Sequence, residues 1–138
     1  MRFYLYYFIL VVSGCVNTNE ISNKSDNFII EEEFFSNGSL KYQLSYKDDK
    51  LHGDTTSWDI NGNILSRVQY RNGLIHGTWK TFYETGKLKS TTNYSHGEKH
   101  GEEVWFHPDG NVQSKISYIK GKISSNIMRW DQNGNRIK

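Results

Sequence analysis

The sequence holds one cysteine, Cys15, and one proline, Pro108. A single thiol excludes an internal disulfide framework, so the fold must hold without one. Apolar residues are scarce as well, at 36% of the chain, which is low for a two-layer globule with a thick core. Charge of one sign is lacking: 17 basic and 15 acidic residues leave a formal net charge of +2, and no basic run occurs. The electrostatic footprint of a nucleic-acid binder is therefore missing, and no nucleic-acid partner is expected. No apolar run reaches the roughly 20 residues that a membrane-crossing helix needs. What is present instead is 14% aromatic residues and 12 glycines. That combination suits a thin structure with one aromatic-rich face.

The N-terminus has the order of an export signal. Met1 and Arg2 form a minimal positive region, and Phe3 to Val12 is an unbroken apolar run. Val12-Ser13-Gly14-Cys15 follows directly and resembles the bacterial lipobox, an aliphatic residue and two small ones before a cysteine. Small residues there let a peptidase hold an extended backbone closely. The resemblance implies a lipoprotein signal peptide over residues 1–14 and lipid attachment at Cys15. Residues 15–27 are polar and turn-rich and are expected to act as a flexible tether. Stable anchoring follows from several acyl chains, since each buried CH₂ contributes about 0.8 kcal/mol.

From residue 28 onward the chain is periodic. Gly38, Gly62, Gly86, Gly110 and Gly134 recur at a step of 24, since 62 − 38 = 24. Gly53, Gly77 and Gly101 form a second row at the same step, continued by Ser125. Gly73, Gly97 and Gly121 form a third, preceded by Asp49. Tyr46, Tyr70, Tyr94 and Tyr118 keep the step, as do the aromatics Phe34, Trp58, Phe82, Phe106 and Trp130. Leu40, Ile64, Leu88 and Val112 form an aliphatic row. A period of this length marks a stacked array of like units.

One unit reads as a hairpin. Thr78–Tyr83 is strand-like, Glu84-Thr85-Gly86 is a three-residue turn with a left-handed glycine, and Lys87–Tyr94 is the return strand. That turn sets Phe82 opposite Leu88. Strand alternation predicts that Leu88, Thr92 and Tyr94 share one apolar face with Phe82. Ser95 to Gly101 is expected to be a longer, solvated connection. The fold expected is all-β: an elongated single-layer antiparallel sheet of tandem 24-residue β-hairpin repeats over residues 28–138, with four full units and a terminal fragment.

The pattern Tyr70-Arg71-Asn72-Gly73-Leu74-Ile75-His76-Gly77, followed by Phe82, Gly86 and Leu88, resembles the MORN repeat, and among its forms the bacterial variant. The resemblance covers residues 34 to 138. It implies a platform for protein–protein contact, scaffolding or membrane-proximal roles, and it supplies no catalytic residues. Some bacterial members are labelled antitoxin or immunity proteins, which makes neutralisation of a toxin the alternative function.

Chemistry-bearing motifs are few. His96-Gly97-Glu98-Lys99-His100 has neither the order of a zinc-protease helix nor a helical setting. His52, His76 and His100 repeat, but equivalent positions two strands apart lie about 9.6 Å from each other, too far to share one ion. No metal site, no cofactor and no enzymatic activity are expected. Four residues stand outside the repeat pattern: Trp79, Tyr83, Trp105 and His107 fall on the face opposite Leu88 in adjacent units. They are the candidate binding patch for a protein partner. The chain as a whole is expected to be exported and lipid-anchored at a bacterial cell envelope, with a protein partner and the membrane as its contacts.

Overall fold

A computed structural model describes residues 21–23 and 28–137. The residues expected to form a signal peptide, Cys15 and most of the expected tether lie outside that range.

Alternating hydrophobic and polar residues, punctuated by glycine-bearing turns, form a single antiparallel sheet of thirteen strands among the described residues. In chain order these are β1 (Ile21–Asn23), β2 (Phe28–Phe34), β3 (Leu40–Lys47), β4 (Lys50–Leu51), β5 (Gly53–Trp58), β6 (Ile64–Arg71) and β7 (Leu74–Phe82). They continue as β8 (Leu88–Ser95), β9 (Glu98–Phe106), β10 (Val112–Ile119), β11 (Lys122–Ile123), β12 (Met128–Trp130) and β13 (Arg136–Ile137). The path is a simple meander, with β4 and β11 as short pieces pairing β3 and β10. Strand β1 falls inside the segment expected to be a tether. Ile21 to Asn23 pair with Ile30 to Phe28, so that part of the segment is sheet.

Two kinds of turn alternate along the meander. At one end, Tyr83 N–H donates to Lys87 O at 2.8 Å and Gly86 N–H to Tyr83 O at 2.8 Å, and the same pair of bonds closes each of the other four turns of this kind. Gly86 has φ +78°, the left-handed conformation foreseen for it. At the other end the connections are shorter than expected. Asn72-Gly73 and His96-Gly97 are two-residue turns with consecutive positive φ, 52° and 83°, then 52° and 85°. That is the type I′ pattern, whose twist matches that of the flanking strands. Glu98 to Gly101 therefore belong to β9, which corrects the expected long connection from Ser95 to Gly101.

Register decides which residues share a face, because residues paired across neighbouring strands point the same way. Phe82 pairs with Leu88, as expected, but Thr81 pairs with Ser90, Trp79 with Thr92 and Gly77 with Tyr94. Lys89 is the extra residue of a bulge. Leu88 consequently points to one face with Phe82, while Thr92 and Tyr94 point to the other with Trp79. The expectation that Leu88, Thr92 and Tyr94 share a face is thus corrected. The bulge recurs between Ser57 and Trp58 and between Val112 and Ser114, so the switch is part of every full repeat.

The result is two apolar stripes on opposite sides. A phenylalanine face carries Phe34, Trp58, Phe82 and Phe106 with their aliphatic partners. A tyrosine face carries Tyr46, Tyr70, Tyr94 and Tyr118. Val68, Ser90, Thr92 and Glu103, four of the five buried side chains among the described residues, lie on the tyrosine face. Val68 is the buried apolar residue of that set, so stability comes from half-buried contacts between neighbouring repeats.

Candidate functional site

Each repeat carries a second bulge that shapes the tyrosine face. Tyr94 pairs with Lys99 and Thr92 with Glu103, which leaves His100, Gly101 and Glu102 opposite Asn93 alone. Gln69 faces His76, Gly77 and Thr78 in the same manner. Gly77, at φ +106°, sits so close to the Gln69 side chain that a Cβ there would strike it. Gln69 Oε1 in turn accepts the Thr78 N–H at 3.0 Å.

The four residues singled out by sequence divide into two pairs. Trp79 (β7) and Trp105 (β9) lie on the tyrosine face. Trp79 packs on Tyr94 with ring centroids 6.1 Å apart, and its buried indole N–H has no partner. Trp105 sits between Ser90 and Ser114, directly across from each. Tyr83 and His107 instead stand immediately before the three-residue turns, whose closing backbone bonds they make. The Tyr83 hydroxyl donates to Phe106 O at 2.6 Å, and His107 Nε2 lies 3.0 Å from Trp130 O. Each ties its turn to the following repeat. All four side chains are half-buried. At the equivalent position Asp59 caps its own turn. Hydrogen bonds from the Asn63 side chain and backbone push its carboxyl below the ordinary value.

A charged cluster on the same face escaped sequence reasoning. Lys99 Nζ lies 2.9 and 3.0 Å from the two oxygens of Glu103 and 4.8 Å from the centre of the Tyr118 ring. Glu103 is 7% exposed. Burial alone would raise its carboxyl. The Lys99 ammonium and the Tyr118 and Thr92 hydroxyls outweigh that and hold it below its ordinary value. The signal was present in the repeat. Lys99 replaces the Leu51 and Ile75 of the earlier units, and Glu103 replaces Thr55 and Trp79. Both positions depart together, as an ion pair requires.

The histidines form no ladder. His76 pairs with His96, not with its own repeat equivalents, at 5.0 Å between ring centres. His96 N–H reaches His76 Nδ1 at 3.4 Å. No group of three metal-ligating side chains occurs among the described residues. A cleft of about 250 Å³ near the C-terminal end is lined by His107, Ser114, Arg129, Trp130 and Asp131 among others. No helix among the described residues is long and apolar enough to cross a membrane.

The pattern described as MORN repeat variant matches residues 29–48, 51–72, 75–96 and 99–120. The chain belongs to the MORN repeat variant family. The matched MORN units coincide with the hairpin pairs described above, and residues 121–137 continue the same phase. No curated protein matches the chain. Among solved structures, a mutant of S. aureus TarM in complex with fondaparinux, alpha-GlcNAc-glycerol and UDP is similar at 15% identity. The match covers 80% of this chain and 21% of that one, with a TM-score of 0.49. A second TarM structure gives 17% identity, the same coverage and a TM-score of 0.48. The MORN chain thus spans 21% of the TarM chain.

Proposed function

We propose that this MORN chain is a non-catalytic binding platform for a protein partner, held at the bacterial cell envelope by a lipid on Cys15. The observation that carries the reading is the tyrosine face. It is a continuous row of half-buried aromatic side chains on a single-layer sheet, with the backbone satisfied by inter-repeat hydrogen bonds. Such a face is rigid at low entropic cost, and aromatic side chains dominate the energetics of protein contacts. Trp79 and Trp105 are its largest members. Anchoring rests on Val12-Ser13-Gly14-Cys15 and the apolar run before it.

The test is crosslinking in the producing cells, with mass spectrometry of the captured proteins and of the Cys15 peptide. Expected are an acylated Cys15 and one dominant partner. Trp79→Ala combined with Trp105→Ala should keep the far-ultraviolet spectrum of a folded sheet and lose the partner. An unmodified Cys15 would remove the anchor. Undiminished capture by the double variant would remove the tyrosine face as the contact.

A further inference from the structure

The repeats can be read against one another, because each position recurs on the same face, although Glu103 is buried and its counterpart Glu31 is half-buried. In the fourth unit, Lys99, Glu103 and Tyr118 form a complete ammonium site. The Nζ is 2.9 Å from the nearer carboxylate oxygen, with the aromatic ring 4.8 Å beneath it. A carboxylate neutralises the charge and the ring's negative face stabilises it from the side. The acid and the lysine are absent together from the second and third units, where Thr55 and Trp79 stand for the acid and Leu51 and Ile75 for the lysine.

The first unit breaks that rule. Glu31 and Tyr46 hold the places of Glu103 and Tyr118, three repeats earlier and at the same mutual spacing. Register puts both on the tyrosine face, with Glu31 across from Leu44 and Tyr46 across from Ile29. Three periods before Lys99 the sequence has Asn27 rather than a lysine, outside the described residues. Among the described residues Glu31 is in no ion pair, while Glu33 pairs with Lys41 at 2.6 Å and Glu32 accepts from Gln43 Nε2 at 3.0 Å. That register makes Glu31 and Tyr46 diagonal neighbours on one face. Burial, and then the Glu31 charge, push the Tyr46 phenol up. Lysine ammonium groups elsewhere settle over rings of this sheet, Lys41 over Tyr42 at 5.2 Å and Lys47 over Phe28 at 5.0 Å.

We propose that Glu31 and Tyr46 form a binding site for a primary ammonium group, and that the occupant is a lysine side chain of the protein partner. The site follows from the repeat geometry. The source of the lysine rests on the platform reading above.

The experiment is a titration of the full chain with Nα-acetyl-lysine methylamide, followed by NMR at the Glu31 carboxylate and the Tyr46 ring. Its Nε-acetylated form serves as the uncharged control. Both signals should move saturably with the amine and stay still with the control. Glu31→Gln should weaken binding about fivefold or more, the loss of one charge-assisted contact. Immobile signals, or equal affinity in Glu31→Gln, overturn the site. A Glu31→Gln variant that fails to fold leaves the wild-type titration against the acetylated control as the deciding measurement. The same variant then enters the crosslinking assay. A partner captured equally well by Glu31→Gln overturns the lysine source while the platform stands. If the wild type captures no partner, the platform falls and the ammonium site stands on its titration.

Discussion

Gly77 and Gly86 look alike in sequence, yet they are glycine for different reasons. Both have positive φ, at 106° and 78°, but only Gly77 lacks room for a methyl group because Gln69 lies against it. Gly86→Ala is expected to cost about 1–2 kcal/mol from the left-handed backbone alone. Gly77→Ala should cost about 1–3 kcal/mol more than that through displacement of Gln69 and its bond to Thr78 N–H. Urea unfolding of both, and of Gly77→Ala with Gln69→Ala, checks the difference, since the double variant should recover part of the loss.

Lys99 and Glu103 carry the second residue-scale prediction. Lys99→Met leaves the 7% exposed Glu103 carboxylate without its partner. Because the Lys99 side chain is itself 33% exposed, the cost is discounted to about 2 kcal/mol at neutral pH. The sign with pH follows from the depressed carboxyl. The pair's contribution is present above the ordinary glutamate value of 4.5 and is lost as pH falls through the lower folded value. Without Lys99, burial alone acts on the carboxyl and raises it, so the wild-type advantage over Lys99→Met should begin to narrow above 4.5 and be lost as pH falls through the lower wild-type value, as thermal unfolding at a series of pH values would record.

At the scale of the element, the turns carry the specificity. The type I′ turns are Asn72-Gly73, His96-Gly97 and Lys120-Gly121, but the first is Asp48-Asp49, with φ 51° and 59°. Two aspartates in left-handed conformation are strained and repel each other. Asp48→Asn with Asp49→Gly is expected to stabilise by about 0.5–1 kcal/mol, read as a higher denaturation midpoint at unchanged slope. Tyr83→Phe tests the opposite end. Removing the hydroxyl that reaches Phe106 O should cost about 0.5–1.5 kcal/mol and speed amide exchange in the His107–Asn111 turn.

These elements also mark how far sequence reasoning reaches. The glycine row from Gly38 to Gly134 announced the three-residue turns, so the Phe82–Leu88 pairing was legible. The two-residue turns were not, because Gly97 and Gly101 read as one long connection and Asp48-Asp49 carries no glycine. The faces were not. Counting by twos assigns Leu88 and Thr92 to one side, and only the two-against-one pairing at Lys89 reverses this. A bulge is a property of the partner strand as much as of its own, so it leaves no mark in a single strand's alternation. The patch suffered for the same reason. Tyr83 and His107 follow the parity of Trp79 and Trp105, yet the turn diverts them into backbone contacts with the next repeat.

At the scale of the whole molecule, every hairpin is bound chiefly to its neighbours. Gly73 N–H donates to Leu51 O, Gly97 N–H to Ile75 O and Gly121 N–H to Lys99 O, each at 2.8–2.9 Å and each one repeat apart. Among the described residues no layer packs across the sheet to link distant units, so stability there is a sum of unit and interface contributions. A whole period is then removable. Deleting residues 75–98 joins Leu74 to Lys99, which occupies the place of Ile75, and leaves the alternation of turns and bulges in phase. That chain should fold cooperatively, with a denaturant slope lower by roughly a fifth in line with the surface lost. Deleting residues 75–86 removes half a period, sets a three-residue turn against a type I′ turn, and puts Phe-row residues on the tyrosine face. It should show no cooperative transition. If the half-period deletion folds as well as the whole-period one, register along the array is not what specifies this sheet. Neighbour-only coupling would then have to give way to contacts among distant repeats.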